Sequence, residues 1–308
     1  MRVLITGGLG HIGSYLITFF AKKYKGSEIT IVDNLSSQRY SSLFNLDKTS
    51  NYNFIDSDIR DTNLSEILEN VEVCIHLAAI TNAAESFNNA LELENNNFEC
   101  TKIIAEECGS HGKKLISLSS TSVYGSQRNI VKEDVQEDLN PQSPYAETKL
   151  KEEEILKEYN NKFNLSCVIP RFGTIYGTSP GMRFHTAVNK FCYQASINQP
   201  ITVWKTAYEQ RRPYLDISDA AVAIDHMISK DLFHGEIFNI LTNNATVKEV
   251  TDIIKEYYND LKIDFVENEI MNQLSYEVSK EKFLETGFEY QGDMKARIFE
   301  TLDMLRLT

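Results

Sequence analysis

Eight residues near the start of the chain, Thr6-Gly7-Gly8-Leu9-Gly10-His11-Ile12-Gly13, restrict the fold more than any other stretch. They follow a short apolar run, Val3–Thr6, and open a segment in which Leu16, Phe19, Phe20 and Tyr24 recur at helical steps. Gly7 permits a tight strand-to-helix turn, Gly10 lets a pyrophosphate approach the backbone, and Gly13 lets helix and strand pack closely. The helix N-terminus, with His11 and Ile12 beside Gly13, offers free N–H groups and partial positive charge to phosphates. Twenty residues after Gly13, Asp33 closes a second apolar run, Ile29–Val32. A carboxylate there accepts ribose hydroxyls, with Asn34 next to it. Its charge repels a 2′-phosphate and the nearest downstream arginine is Arg39, so NAD is expected rather than NADP.

Further apolar runs follow at Asn53–Ile55, Val71–Leu77, Leu115–Ser119 and Ser166–Ile169, separated by helical spacings such as Phe98, Ile103, Ile104 and Cys108. This alternation predicts an α/β fold, a Rossmann-type doubly wound parallel sheet. After about residue 170 the pattern changes. Gly173, Gly177, Pro180 and Gly181 gather, and short strands and helices mix, as at Ile237–Ile240 and Val247–Tyr258. We expect residues 1–169, with a contribution from about 213–240, to form the NAD-binding domain. Residues 170–308 are expected to form mainly a smaller C-terminal α/β substrate-binding domain.

Composition excludes several classes. With 42% apolar and 24% charged residues the chain is not a disordered one. A net charge of −13 with no basic stripe argues against nucleic acid as a partner. No apolar run approaches the roughly 20 residues of a membrane helix, and Met1-Arg2 leads straight into the first strand without a leader pattern. Cys74, Cys100, Cys108, Cys167 and Cys192 form no CxxC pair, which fits reduced thiols. The expectation is a cytoplasmic protein without metal or membrane contact.

Tyr145 and Lys149 share one helix face by their i, i+4 spacing. A nearby ammonium stabilises a phenolate, so the pair suits a tyrosine base working near neutral pH. Upstream, Ser119-Ser120-Thr121-Ser122-Val123-Tyr124-Gly125 ends the fifth run and supplies hydroxyls for the same substrate oxygen. Together with Asp58-Ile59-Arg60-Asp61, His76-Leu77-Ala78-Ala79, Pro170-Arg171-Phe172, Tyr176-Gly177 and Arg212-Pro213-Tyr214, these motifs run in order over about 210 residues. In that order they resemble the extended short-chain dehydrogenase/reductases, specifically the nucleotide-sugar epimerase/dehydratase family that includes UDP-glucose 4-epimerase. The resemblance implies Tyr145, Lys149 and Ser120 as catalytic residues. It implies a cofactor site that adds Asp58, Ile59, Leu77, Ala78, Ala79, Asn97, Ser119 and Pro170 to the Gly-rich turn and Asp33. It also implies a homodimer paired through the helix bearing Tyr145 and the one near residues 90–108.

The shared first step in such enzymes is oxidation at C4 of the sugar. Related dehydratases and decarboxylating relatives carry an acid just after the catalytic hydroxyl. This chain has Thr121 and Ser122 there, which favours a 4-epimerase acting through a transient 4-keto sugar. Thr174 replaces the Asn of Arg-x-x-Asn-x-x-Gly, and Thr178-Ser179-Pro180-Gly181-Met182-Arg183-Phe184 resembles a branch of surface-polysaccharide sugar enzymes. Some members of that branch oxidise GDP-heptose at C4 without epimerising. The alternative reading is therefore a C4 dehydrogenase or 4-keto reductase, with a 4,6-dehydratase less favoured and a non-catalytic NAD-binding scaffold least. For the nucleotide diphosphate, Arg212 is the first anchor and Arg183 the second, with Thr121, Ser122 and Thr174 facing the sugar. No Lys or Arg stands between Lys262 and Lys280, where relatives of that branch keep a basic residue.

Overall fold

A computed structural model describes residues 1–81, 85–125, 130–267 and 275–306. The first half runs β1 (Arg2–Thr6), α1 (His11–Lys23), β2 (Glu28–Asp33), β3 (Asn51–Asp56), α2 (Leu64–Glu69), β4 (Val73–His76), α3 (Ala90–Ser110), β5 (Lys114–Ser117), β6 (Ser119–Ser120), β7 (Ile130–Val131) and α4 (Pro144–Phe163). The second runs β8 (Cys167–Phe172), β9 (Thr174–Tyr176), α5 (Ala187–Ser196), β10 (Ile201–Trp204), β11 (Arg211–Asp216), α6 (Ile217–Ser229), β12 (Ile237–Ile240), β13 (Asn243–Thr246), α7 (Val247–Tyr257), β14 (Ile263–Val266), β15 (Glu277–Val278), α8 (Glu281–Leu284) and α9 (Met294–Leu305).

The main sheet has the order β3-β2-β1-β4-β5-β8-β12, with β6 beside β8, and every pairing in it is parallel. This is the doubly wound sheet the alternation predicts. Its central strand shows why both faces are covered. Val3 and Ile5 face one hydrophobic cluster with Leu16 and Phe20 of α1 and Ile224 and Met227 of α6. Leu4, between them, faces a second cluster with Leu64, Ile104, Cys108 and Leu156. Successive side chains point to opposite faces, so a strand buried on both sides is apolar throughout. The strand order reverses at β1 and β4, the place where open α/β sheets leave a crevice for ligands.

Several boundaries move. The run at Val71–Leu77 shortens to β4 because the Val71 N–H closes the end of α2 on Leu68 and the Glu72 N–H bonds Arg2. The run at Leu115–Ser119 splits into β5 and β6. Ile116 is level with Val168 and Ser119 with Arg171, so Leu118 stands opposite Pro170, which has no N–H to offer the ladder. The run at Ser166–Ile169 continues through Phe172.

Beyond β8 the chain serves two bodies. β12 completes the main sheet, whereas β9, β11 and β13 form a small sheet of their own and β10 pairs β14. A third cluster, with Tyr176, Val188, Phe191, Tyr214, Val250, Ile254, Ile298 and Leu302, gathers under α5, α7 and α9. α7 starts on a capping box, with Thr246 and Glu249 bonding each other's backbone, and α4 starts with Ser143 as N-cap and Pro144 at its first position.

Candidate active site

The Gly-rich turn leaves β1 with Gly7 at φ +63°, in contact with the backbone of Ala78: a Cβ there would lie 2.6 Å from the Ala78 nitrogen. Gly13 is equally closed, its Cβ position being 2.6 Å from the Cα of Gly8. Gly10 differs. A Cβ there meets only the Gly7 carbonyl at 3.2 Å and an Arg39 nitrogen at 3.8 Å. The turn is therefore tight where strand and helix meet and open where a phosphate would approach. No side chain caps α1 and no acid stands in its first turn, which leaves its N–H groups to an external anion. These features fit a dinucleotide. His11 stands apart from the cleft: it is buried, with Nδ1 2.7 Å from Ser179 Oγ and Nε2 3.4 Å from Asn189 Nδ2. Burial first, then Arg183, lowers its pKa to about 3, so the ring is neutral. Through it, and through the Gly181 N–H donating to Ser14 Oγ at 2.9 Å, the 178–183 loop is fastened over the turn.

Asp33 ends β2 at the rim. Its two oxygens accept the N–H groups of Leu9 (3.0 Å) and Leu35 (2.9 Å), which aims the carboxylate at the turn. Asn34 donates to Asp58, and Asp58 holds Arg60 through two short bonds that keep its carboxyl well below the usual range. The Ile59 side chain belongs to the core, and its place in the cofactor set is left to its backbone. Leu77, Ala78 and Ala79 follow β4 and are partly exposed at the mouth. Asn97 is buried and clamps both the N–H (2.8 Å) and the carbonyl (2.9 Å) of Ile80, so it shapes the loop after β4. Pro170 is buried in β8.

Tyr145 and Lys149 occupy the first turns of α4, and the ammonium lies 6.0 Å from the phenol ring centroid. Lys149 is 5% exposed. Nζ donates to the Leu118 carbonyl at 3.0 Å and to Glu152 Oε2 at 2.8 Å. Burial alone would lower its pKa, yet Glu152 first and Tyr145 next outweigh it and the net shift is upward. Ser120 caps the short helical turn after β6, its Oγ accepting the Ser122 N–H at 3.2 Å. Ser122 Oγ is buried with no partner among the described residues. Ser119 and Thr121 are committed inward. Ser119 donates to Glu153 Oε1 at 2.5 Å and Thr121 to the Phe172 carbonyl at 3.3 Å.

The far wall comes from the second half of the chain. Thr174 on β9 pairs with Tyr214 on β11, and Arg212 lies two residues earlier on β11, on the same strand face as Tyr214. Arg212 Nε and Arg183 Nε are buried without a partner among the described residues. Arg183 reaches Thr81 Oγ1 at 2.5 Å, and Tyr145 is among its titratable neighbours. A guanidinium with an unpartnered buried nitrogen suits a diphosphate oxygen. Residues 272–274 of the stretch ahead of Ser275-Tyr276 lie outside the described residues; Tyr276 is buried and its neighbours include Thr121 and Arg212.

Sequence reasoning missed the support behind this set. Glu153 is gripped by Arg171 at 2.8 and 2.6 Å, and Arg171 reaches the Tyr124 hydroxyl at 2.8 Å, which donates to Asn239 at 2.7 Å. The signal was present in two acids three and four residues after Lys149, a spacing that returns to the lysine's helix face.

The model of the NAD dependent epimerase/dehydratase family matches residues 3–240. The chain belongs to that family. It is an NAD-dependent enzyme. Among curated relatives, the uncharacterized UDP-glucose epimerase YtcB of Bacillus subtilis is 31% identical over 83% of this chain and 82% of its own. A dTDP-D-glucose 4,6-dehydratase of Dictyostelium discoideum is 32% identical over 84% of this chain, which spans 62% of that enzyme's length. Among solved structures, UDP-glucuronic acid 4-epimerase from Bacillus cereus, in complex with UDP-glucuronic acid and NAD, superposes with a TM-score of 0.89 at 24% identity over 99% of each chain. UDP-N-acetylglucosamine 4-epimerase from Methanobrevibacter ruminantium M1 gives 0.88 at 24% identity over 98% of this chain and 97% of its own. At that identity the structural likeness establishes the fold.

Proposed function

We propose that the enzyme is a nucleotide-sugar 4-epimerase acting through a transient 4-keto sugar. The observation that carries this reading is the pairing of Tyr145, Lys149 and Ser120 with hydroxyls, Thr121 and Ser122, where dehydration needs an acid. Glu152 and Glu153, three and four residues after Lys149, are buried and bonded to Lys149 and Arg171. NAD, held by Gly7, Gly10, Gly13 and Asp33, supplies the two-electron acceptor and donor at C4 when bound. Tyr145 takes the proton of the C4 hydroxyl and later returns one to the 4-keto oxygen. Ser120 donates a hydrogen bond to that oxygen in both directions, and the Lys149 charge favours the phenolate. Arg212, with Arg183, holds the diphosphate while the keto sugar turns over, so the sugar lies between the main sheet and the third cluster. A second reading, a C4 dehydrogenase or 4-keto reductase, rests on the Thr178–Phe184 loop, which the structure folds over the Gly-rich turn.

α3 and α4 lie side by side, and the exposed Leu91 near the start of α3 supports a homodimer built on these helices. The five cysteines are buried and unpaired, which supports a cytoplasmic enzyme; no described helix is long and apolar enough to cross a membrane. The test is incubation with catalytic NAD and a panel of UDP-, GDP-, CDP- and dTDP-sugars, read by sugar-proton NMR, with Tyr145→Phe as control. A C4 epimer without net NADH, absent in the variant, is expected. A 4-keto product with stoichiometric NADH would replace this reading by the second.

A further inference from the structure

A lysine ammonium has three N–H donors, and two of those on Lys149 are already committed inside the protein. One goes to the Leu118 carbonyl at 3.0 Å, the other to Glu152 Oε2 at 2.8 Å. Glu152 is itself 2% exposed. Its Oε2 also accepts Thr101 Oγ1 from α3 at 3.1 Å, and its Oε1 is buried without a partner among the described residues. A buried carboxylate with one bare oxygen is costly, and its charge is met chiefly by Lys149. The proposed mechanism asks of Lys149 only a positive charge beside Tyr145 and a donor toward the cofactor ribose. A carboxylate on the same ammonium weakens the first and directs the second.

Resting on the proposed C4 chemistry, we infer that Glu152 is a positioning residue: it holds two-thirds of the Lys149 ammonium in place together with Leu118, leaves the third donor for the cofactor side, and sets how acidic Tyr145 becomes. Among the described residues, other charged and titratable groups stand around the pair. Glu153, next on α4, is neutralised by Arg171 from β8. His76 from β4 stays neutral, its pKa lowered to about 3 by burial and then by Lys149. Cys100 from α3 holds its proton, its pKa raised to about 11 mainly by burial. Arg183 approaches Tyr145 from the 178–183 loop. Glu152 is therefore the buried carboxylate bonded to the ammonium that stands beside Tyr145.

The consequence has a sign. Removing the negative charge while keeping an acceptor for Lys149 strengthens the ammonium's pull on the phenolate, so Tyr145 ionises at lower pH. In Glu152→Gln the shift expected is downward, since one opposing charge on the Lys149 ammonium is removed. The experiment uses the full chain saturated with NAD and labelled with ζ-13C-tyrosine. The Tyr145 signal is assigned with Tyr145→Phe and titrated in wild type, Glu152→Gln and Glu152→Asp, with the acid limb of kcat/KM followed in parallel. We expect the Tyr145 titration and the acid limb to move down together in Glu152→Gln and to move down by less in Glu152→Asp. A Tyr145 titration within about 0.2 unit of wild type in folded, NAD-binding Glu152→Gln would overturn the inference. Where Glu152→Gln does not fold, Glu152→Asp reads the same point, because its retracted carboxylate should give a smaller downward shift, and an unchanged titration overturns the inference. The NMR titration needs only NAD, so an enzyme inactive on every nucleotide sugar would refute the proposed reaction and leave this result readable.

Discussion

Breaking the Glu153–Arg171 pair is the most demanding test of how the site is held. Arg171 is 1% exposed and Glu153 3%, with two bonds of 2.8 and 2.6 Å between them. Glu153→Gln keeps the shape and removes the charge. Arg171 then retains the Tyr124 hydroxyl and the face of the Tyr124 ring, 5.0 Å from its centroid, but no counter-ion. Leaving one member of a buried pair uncompensated costs about 3–5 kcal/mol. At roughly 2–4 °C per kcal/mol for a chain of this size, Tm should fall on the order of 10 °C. Arg171→Met should cost a similar amount, and the double variant should recover about 2–3 kcal/mol of the summed loss, since neither charge is then stranded. Function should follow the same path. β6 pairs with β8 at Arg171 and Phe172, and Ser119 bonds Glu153, so folded Glu153→Gln should lose turnover through a displaced Ser120 while NAD affinity holds. The assay is denaturant unfolding of all four proteins, with NAD titration and steady-state rates on the folded ones. Single variants that lose less than about 1 kcal/mol, or energies that add without coupling, would refute the claim that this pair supports the site.

Three further outcomes follow from the geometry. Gly10→Ala should change stability by less than about 1 kcal/mol yet weaken NAD binding at least tenfold, because its methyl touches only the Gly7 carbonyl at 3.2 Å and an Arg39 nitrogen at 3.8 Å and takes up room on the phosphate side, whereas Gly13→Ala should cost about 1–3 kcal/mol by pressing on Gly8; calorimetry and fluorescence titration compare them. His11 and His76 titrate near pH 3 when folded and near 6.5 when unfolded, so the unfolded chain binds more protons and stability falls as pH drops below 6.5; each ring should cost about 2 kcal/mol at pH 5, and equal urea midpoints at pH 5 and 7.5 would contradict this. Arg212→Met should raise KM for the nucleotide sugar far more than it lowers kcat, and an unchanged KM would remove Arg212 from diphosphate binding.

The sheet and its Gly-rich turn were legible because local rules and tertiary demand agree there. A glycine that needs positive φ, as Gly7 does, and strands apolar on both faces leave few alternatives. The Tyr145–Lys149 pair was legible for the same reason, as helical spacing alone aligns it. Other residues misled because sequence does not say where a polar group spends its bonds. Asn97 is consumed by the Ile80 backbone, Ser119 by Glu153 and His11 by Ser179, though all three stand in or beside motifs that suggest ligand contact.

The sequence by itself therefore determined the doubly wound sheet, the Gly-rich turn and the alignment of Tyr145 with Lys149 on one helix face, since each follows from periodicity or from backbone sterics within a few residues. Tertiary structure alone decided that Arg212 and Thr174 share a small sheet, and that Glu152 meets Lys149 behind Tyr145. Those arrangements depend on contacts across many tens of residues and on which buried charge finds which partner. Low-dielectric burial settles such pairings through desolvation, a quantity with no counterpart in the one-dimensional pattern.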